Sequence, residues 1–400
     1  MSSRYVTIDE FFHDLTGISR KYGWIRKAKK PMQKLSRILF AITLTLSILG
    51  FPTQAFAKTK IQMAILLDSS NSMDGLIDQT RTQLWQIVNY LTQVSKDGEV
   101  PELEVALYHY GNDNLPSSEG FVRLLTGFTP ELDLVSEKLF SIRTNGGQEY
   151  AGWAMRSAMR ELNWSKDKED FRVIFIAGNE PFDQGPIPWR ESVALAVKGN
   201  TFVNTIYCGS AESQERQLWA EGASLAQGSH FNINQNEKVE FIKSPYDEQI
   251  AAWNAKLNQT YIPYGAQGEV GQQRQVIEDS NSGVNLATRG GSKASRYYNN
   301  ASWDLIDAIN EGRVTLEQLP NEALPLAMQG MTLAQKQEYV AAKKAERETI
   351  QKMIRDLSQK RSEYVEKQRL LSANSGKNTL DSVIIQSLSQ QLAAKGFKVR

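Results

Sequence analysis

The chain of 400 residues is longer than one ordinary domain, so we expect a main domain and an appendage. Its net charge of +1 is an average: residues 1–57 hold nine Lys or Arg against three acids, which leaves 37 basic and 42 acidic residues after them. This mildly acidic body gives no electrostatic reason to expect nucleic acid as a partner. The single cysteine, Cys208, excludes an intramolecular disulfide.

The first 57 residues are typical of an export signal. Six Lys or Arg between positions 26 and 37 precede an uncharged run over 38–51, which is short for a membrane span and right for a signal peptide. Ala55-Phe56-Ala57 supplies the cleavage site, so we predict a signal peptide over 1–57, with Met32 as an alternative translation start. The mature protein would begin at Lys58, be periplasmic or secreted, and have no stable membrane span. An uncleaved N-terminal anchor is the alternative.

Apolar runs and helical periodicities alternate between residues 59 and 240. The predicted strands are 62–67, 103–110, 121–125, 173–177, 202–208 and 230–233. The predicted helices are 76–94, 132–140, 151–163, 189–198 and 212–226. This alternation predicts an α/β domain over 58–242, with a Rossmann-like, doubly wound, mostly parallel sheet. Ligands of such sheets bind beyond the carboxyl ends of the strands.

The composition changes after residue 242. Residues 243–331, rich in Asn, Gln, Gly and Ser, are predicted to be a linker with short helices, one of them capped by Ser302. Residues 332–400 are predicted to be a helical, partly coiled-coil tail, with helices over 332–371 and 378–394. The coiled-coil-like seam has four- and three-residue steps and comprises Ile350, Ile354, Leu357, Arg361 and Tyr364. Folding of the tail on itself is favoured over pairing with another molecule.

The first predicted strand ends in Asp68, and Ser70 and Ser72 follow at a spacing of two. Alternate residues of an extended turn point the same way, so their oxygens can converge on one point. Hard oxygen ligands without imidazole or thiolate suit Mg²⁺ or Mn²⁺, with Ca²⁺ as a further candidate, rather than zinc. The alternative is that these side chains cap the following helix and hold the loop by hydrogen bonds.

This Asp-x-Ser-x-Ser pattern after a first strand resembles the metal-ion-dependent adhesion site (MIDAS) of von Willebrand factor type A (VWA) domains, over roughly 59–240. The family usually places a ligating Thr after a Gly pair, where this chain has Gln148 and Glu149. It also has Thr-Asp-Gly at a later strand end, where this chain has Gly178 in place of the Asp. An under-neutralised cation needs a second acid, so we assign Glu149 as a metal ligand, ahead of Glu180 and Asp113. A helix-dipole role for Glu149 is the alternative.

A closer likeness is to an uncharacterised subgroup of exported bacterial VWA proteins. It rests on residues 144–152, 175–185 and 204–209 and extends through Trp303-Asp304 and the charged C-terminal helix. It implies no substrate or partner. In adhesion-type sites of the wider family, a carboxylate from the partner completes the metal coordination, and a second acid within the site would weaken that mode.

No catalytic motif stands out in the sequence. It holds no H-E-x-x-H, G-x-S-x-G or G-x-x-x-x-G-K-[ST] motif, and only His109 and His230 follow the predicted cleavage site. We therefore expect a non-enzymatic, exported binding or adhesion-type protein with a protein ligand in the cell envelope. The alternatives are a metal-free envelope scaffold that binds through its helical tail, and an accessory subunit of an AAA-type ATPase or chelatase. The export signal argues against the second alternative.

Overall fold

The structure is a computed structural model that describes residues 58–210, 212–233, 241–371 and 380–399. The predicted signal peptide over 1–57, including Met32 and the cleavage site, lies outside the described residues. Within the described ranges, no helix combines the length and the apolar character that crossing a membrane requires.

A six-stranded sheet forms the centre of the molecule. Its strands are β1 (Lys60–Asp68), β3 (Glu102–Tyr110), β4 (Val122–Thr129), β5 (Phe171–Gly178), β6 (Phe202–Cys208) and β7 (His230–Ile233), while β2 (Val94–Ser95) lies outside it. The strand order is β4-β3-β1-β5-β6-β7, and every neighbouring pair is parallel except β3 and β4. Strand β1 is buried on both faces, which explains its nearly unbroken apolar sequence.

Helices cover both faces of this sheet. One core contains Met63, Ile65 and Leu67 of β1, and the opposite core contains Ala64 and Leu66, as the period of two in a strand requires. The helices of the first face include α1 (Asp74–Leu91) and α2 (Leu132–Ser141), and those of the second are α3 (Ala151–Glu161), α4 (Trp189–Lys198) and α5 (Glu215–Leu225). The doubly wound α/β fold predicted from the sequence is confirmed.

The region predicted as a linker contains several packed helices, which are α6 (Asp247–Asn258), α7 (Gly268–Asn281), α8 (Leu286–Lys293), α9 (Leu305–Asn310) and α10 (Leu326–Gln329). Helices α6 and α8 share a core around Trp303. The fully buried Arg289 of α8 pairs with Asp133 of α2 at 2.5 Å and with Asp279 at 2.7 Å, which ties this region to the α/β domain. The cap of α9 is Asp304, which accepts a hydrogen bond from the backbone N–H of Asp307, and not Ser302 as predicted.

The long helix α11 (Leu333–Leu371) packs its seam within the same chain. Ile350, Ile354 and Leu357 belong to the core formed with α6 and α8, and not to a pair of long helices as the coiled-coil pattern suggested. The Arg361 guanidinium interrupts the seam because it donates to Asp247 of α6 at 2.7 Å.

The last helix, α12 (Leu380–Ala394), packs on the central sheet rather than on α11. Ile384, Leu388 and Leu392 belong to the first core. Asn204 of β6 and Gln391 exchange two amide hydrogen bonds of 3.1 and 2.7 Å. The strand that follows, β8 (Lys398–Val399), pairs antiparallel with β2 (Val94–Ser95). The C-terminal residues therefore belong to the α/β core and do not form a separate tail. Their apolar side chains pack on the same sheet face as α1 and α2.

Candidate metal site at the carboxyl edge of the sheet

Asp68 is the last residue of β1 and lies between the ends of β3 and β5. Its Oδ1 accepts a hydrogen bond of 2.8 Å from the backbone N–H of Ser70. The hydroxyls of Ser70 and Ser72 lie 3.2 Å apart. The Asp-x-Ser-x-Ser pattern thus folds into one compact turn in which the three predicted side chains adjoin one another.

Backbone hydrogen bonds fix this turn to its neighbours. The N–H of Ser69 donates to the Tyr110 carbonyl at 2.8 Å, and the N–H of Asn71 donates to the Gly146 carbonyl at 3.1 Å. The N–H of Asn145 returns a bond of 3.0 Å to the Ser69 carbonyl. The turn after β1 and the loop before α3 therefore form one rigid surface, which places both predicted ligand segments side by side.

Glu149 reaches the same point from the residues that precede α3. The side chains of Asp68 and Glu149 both lie against Gly111. A Cβ atom placed on this glycine would be 2.7 Å from Glu149 Cγ and 2.8 Å from Asp68 Oδ1. Its φ of +73° also favours glycine. Both acidic side chains thus pack against the backbone of Gly111, and the structure brings together all four predicted residues, Asp68, Ser70, Ser72 and Glu149.

Two carboxylate oxygens of this pocket have no hydrogen-bond partner in the described part of the chain. These are Oδ2 of Asp68 and Oε2 of Glu149, both buried. The two residues are 0% and 5% exposed. An unsatisfied buried acceptor is costly, and a charged one is more so. Protonation of the carboxyls or a positively charged group next to these oxygens would remove this cost.

Burial raises the pKa of Asp68 to about 8, and the negative charges of Glu149 and Glu180 add to this effect. Burial likewise raises the pKa of Glu149 to about 7, with contributions from Glu180 and Asp113, while a hydrogen bond with Ser70 opposes the rise. Both carboxyls are thus held out of water among other acids. Since a cation favours the ionised form, it would relieve this destabilisation.

The end of β5 differs from the Thr-Asp-Gly that the sequence resemblance leads one to expect. A Cβ at Gly178 would lie 2.6 Å from the Tyr110 hydroxyl, so that hydroxyl occupies the space into which the family's Asp would extend. Tyr110 in turn donates to the Ala177 carbonyl at 2.9 Å. Asn179 donates from Nδ2 to the Ser72 hydroxyl at 2.9 Å. Sequence reasoning missed Tyr110, because its position opposite Asp68 is fixed by the β1–β3 register, which only the structure shows.

The residues present fit a hard divalent cation. They offer two carboxylates and two hydroxyls, which are oxygen donors of the kind that Mg²⁺, Mn²⁺ and Ca²⁺ take. Among the described residues, no group of three or more His, Cys, Asp or Glu side chains is placed to hold a metal ion. A cation at this site would therefore depend on the hydroxyls of Ser70 and Ser72 as well as on the two acids.

No family model and no curated protein matches this chain. Among solved structures, the SpRpn10 VWA domain matches with a TM-score of 0.31 and 17% identity, over 45% of this chain and 90% of that one. Proximal thread matrix protein 1 from the mussel byssus, with a zinc-occupied MIDAS motif, matches with a TM-score of 0.33 and 11% identity, over 45% of this chain and 43% of that one. The pilus adhesin SpaC of Lactobacillus rhamnosus GG gives a TM-score of 0.34 and 10% identity, over 44% and 28%. These scores are too low to carry an argument about function, and the fold assignment rests on the strand order and helix layers.

Proposed function

We propose that this chain is a non-enzymatic binding protein whose α/β domain holds Mg²⁺ or Mn²⁺ in the pocket of Asp68, Ser70, Ser72 and Glu149 and recognises a protein partner there. One observation carries the proposal: the buried oxygens Asp68 Oδ2 and Glu149 Oε2 have no hydrogen-bond partner among the described residues. A bound cation would compensate these two buried carboxylates and hold the loops at this edge of the sheet in one arrangement, which a protein partner can recognise.

The surroundings of two histidines support a role without catalysis. His109 is buried in β3, where Nδ1 lies 3.0 Å from the Ser69 hydroxyl, and Nδ1 of His230 lies 2.9 Å from the Thr205 hydroxyl. Burial lowers the pKa of each to about 4. Neutral imidazoles engaged with sheet hydroxyls have a packing role, and they are poor candidates for a general base near neutral pH.

The proposal includes export to the cell envelope. It draws on the basic segment, the uncharged run over 38–51 and the Ala55-Phe56-Ala57 site in the sequence. An extracytoplasmic location agrees with a site for a divalent cation and offers no ATP to an ATPase partner, which disfavours the chelatase-type alternative.

Thermal unfolding with and without metal tests the cation. A ligand that binds only the folded state stabilises it by mass action. Millimolar Mg²⁺ or Mn²⁺ should therefore raise the melting temperature of chelator-treated protein, and Asp68→Ala should abolish the rise. Glu278→Gln is the matched control, since Glu278 is a buried acid of α7 that bonds Ser136 far from the pocket.

The control variant is expected to keep the full metal response, whatever the substitution does to its own melting temperature. Identical melting curves for the wild type with chelator and with metal would overturn the proposal and return Asp68 to a capping role. The chain would then be better described as a metal-free scaffold.

A further inference from the structure

The loops at the carboxyl edge of the sheet are strongly acidic. Five segments that follow strands or precede α3 lie at this edge: residues 69–73, 111–121, 142–150, 179–188 and the described part of 209–214, which is 209–210 and 212–214. Together with Asp68 they contain seven acids, which are Asp68, Asp113, Glu119, Glu149, Glu180, Asp183 and Glu212, and one basic residue, Arg143. The Arg143 guanidinium donates to the carbonyls of Phe140 and Ile142 at the end of α2, so it is engaged beside that helix.

Two further acids lie beside the pocket. Asp113 packs against Gly146, whose carbonyl accepts from the N–H of Asn71 in the turn after β1. Glu180 follows Asn179, which donates to the Ser72 hydroxyl. Glu180 is half-buried, while Asp113 and Asp183 are exposed. With a cation bound, Asp68 and Glu149 would be ionised, and together with Glu180 and Asp113 they would bring four acidic groups to the site. A divalent cation would neutralise two of them, so the loaded site would still be negative.

We propose that the partner recognised at this edge presents lysine or arginine side chains. This inference rests on the proposed function and names the chemistry of the partner. A carboxylate that approaches a site that stays negative after metal loading is repelled. A basic side chain is attracted by Asp113 and Glu180 beside the pocket and by the exposed Asp183, which precedes the Gln184 that accepts from the Glu149 N–H. The unpartnered, buried oxygens of Asp68 and Glu149 show that the pocket is built to receive positive charge.

Two labelled peptides of equal length test the partner class: one alternates Lys with Gly and Ser, and the other has Glu at each Lys position. Fluorescence anisotropy at about 0.15 M salt, where distant charges are screened, measures their affinity for the full mature chain loaded with Mn²⁺. The Lys peptide should bind about tenfold more tightly than the Glu peptide. The variant Asp113→Asn/Glu180→Gln/Asp183→Asn should lose most of this preference.

The control variant is Glu338→Gln/Glu348→Gln/Glu366→Gln, which removes three exposed charges of α11 and changes the net charge equally. It should retain the wild-type affinity for the Lys peptide. Tighter binding of the Glu peptide, or equal losses in both triple variants, would overturn the inference. Calorimetric titration of Mn²⁺ into each protein tests the metal proposal separately, which fails if no heat of binding is measured. The preference for the Lys peptide is measured again with chelator present, so it can be judged whether or not metal binds.

Discussion

Replacing Asp68 by Asn should stabilise the metal-free protein. Asn keeps the size of Asp, and its Oδ1 can still accept from the Ser70 N–H, the 2.8 Å bond that holds the turn. What the substitution removes is a carboxylate whose pKa is raised from 3.8 to about 8, chiefly by burial. The folded state binds a proton on the Asp68 carboxyl more tightly than the unfolded state does. The contribution of this carboxyl to the free energy of unfolding is therefore fully present below pH 3.8 and is lost as the pH rises through 8.

The size of the effect follows from the pKa. Each pH unit between the ordinary and the raised pKa costs at most about 1.36 kcal/mol of folding free energy. At pH 7 this limit is about 4 kcal/mol for Asp68, and relaxation and water penetration reduce it to about 2 kcal/mol. The metal-free Asn variant should therefore match the wild type near pH 4 and exceed its free energy of unfolding by about 2 kcal/mol at pH 7.

Urea unfolding from pH 4 to pH 8, with chelator present, measures this difference. Repeating the series with Mn²⁺ should reverse the order of the two proteins, because a cation at about 100 times its Kd stabilises the wild type alone by about 2.7 kcal/mol. Parallel stability curves for the two metal-free proteins would refute the reasoning, since they would mean that the Asp68 carboxylate is already compensated in the folded state.

Two further predictions concern Glu149 and processing. Glu149→Gln should lower the Mn²⁺ affinity about tenfold in a calorimetric titration, because it removes a charge that balances the cation. Glu191→Gln, in the exposed first turn of α4, should cost only about 0.3–1 kcal/mol of stability and leave the affinity unchanged. If Glu149→Gln behaves like this control, Glu149 has a helix-dipole role alone. N-terminal sequencing of the mature protein should begin at Lys58, and a full-length, membrane-embedded form as the only species would contradict cleavage after Ala57.

The α/β domain could be predicted because its signals are local. The strands Phe202–Cys208 and His230–Ile233 and the helix Trp189–Lys198 have the bounds that the sequence pattern predicted. Runs of apolar residues with a period of two or 3.6 determine these elements before any tertiary contact is known. The same patterns placed Asp68 at a strand end, which is why the candidate site was found from the sequence.

The helices after β7 were only partly predicted because charged residues hold them in place. Arg289 and Lys293 are fully buried, and Arg289 pairs with Asp133 across 156 positions of sequence. Patterning treats such residues as exposed, so the segment resembled a linker. The position of Tyr110 against Gly178 is likewise a tertiary contact between two strands that no spacing reveals.

The α/β core closes only with the last residues of the chain. Val94 pairs with Val399, and Phe171 stacks edge-on with Phe397 at 6.3 Å. A core with contacts of such sequence separation forms late and slowly, since a long loop must close first. During synthesis, the part of this sheet face that α12 and Phe397 cover stays open until those residues have been made. In the exported protein that we propose, this late closure would delay formation of the native core until the chain has crossed the membrane.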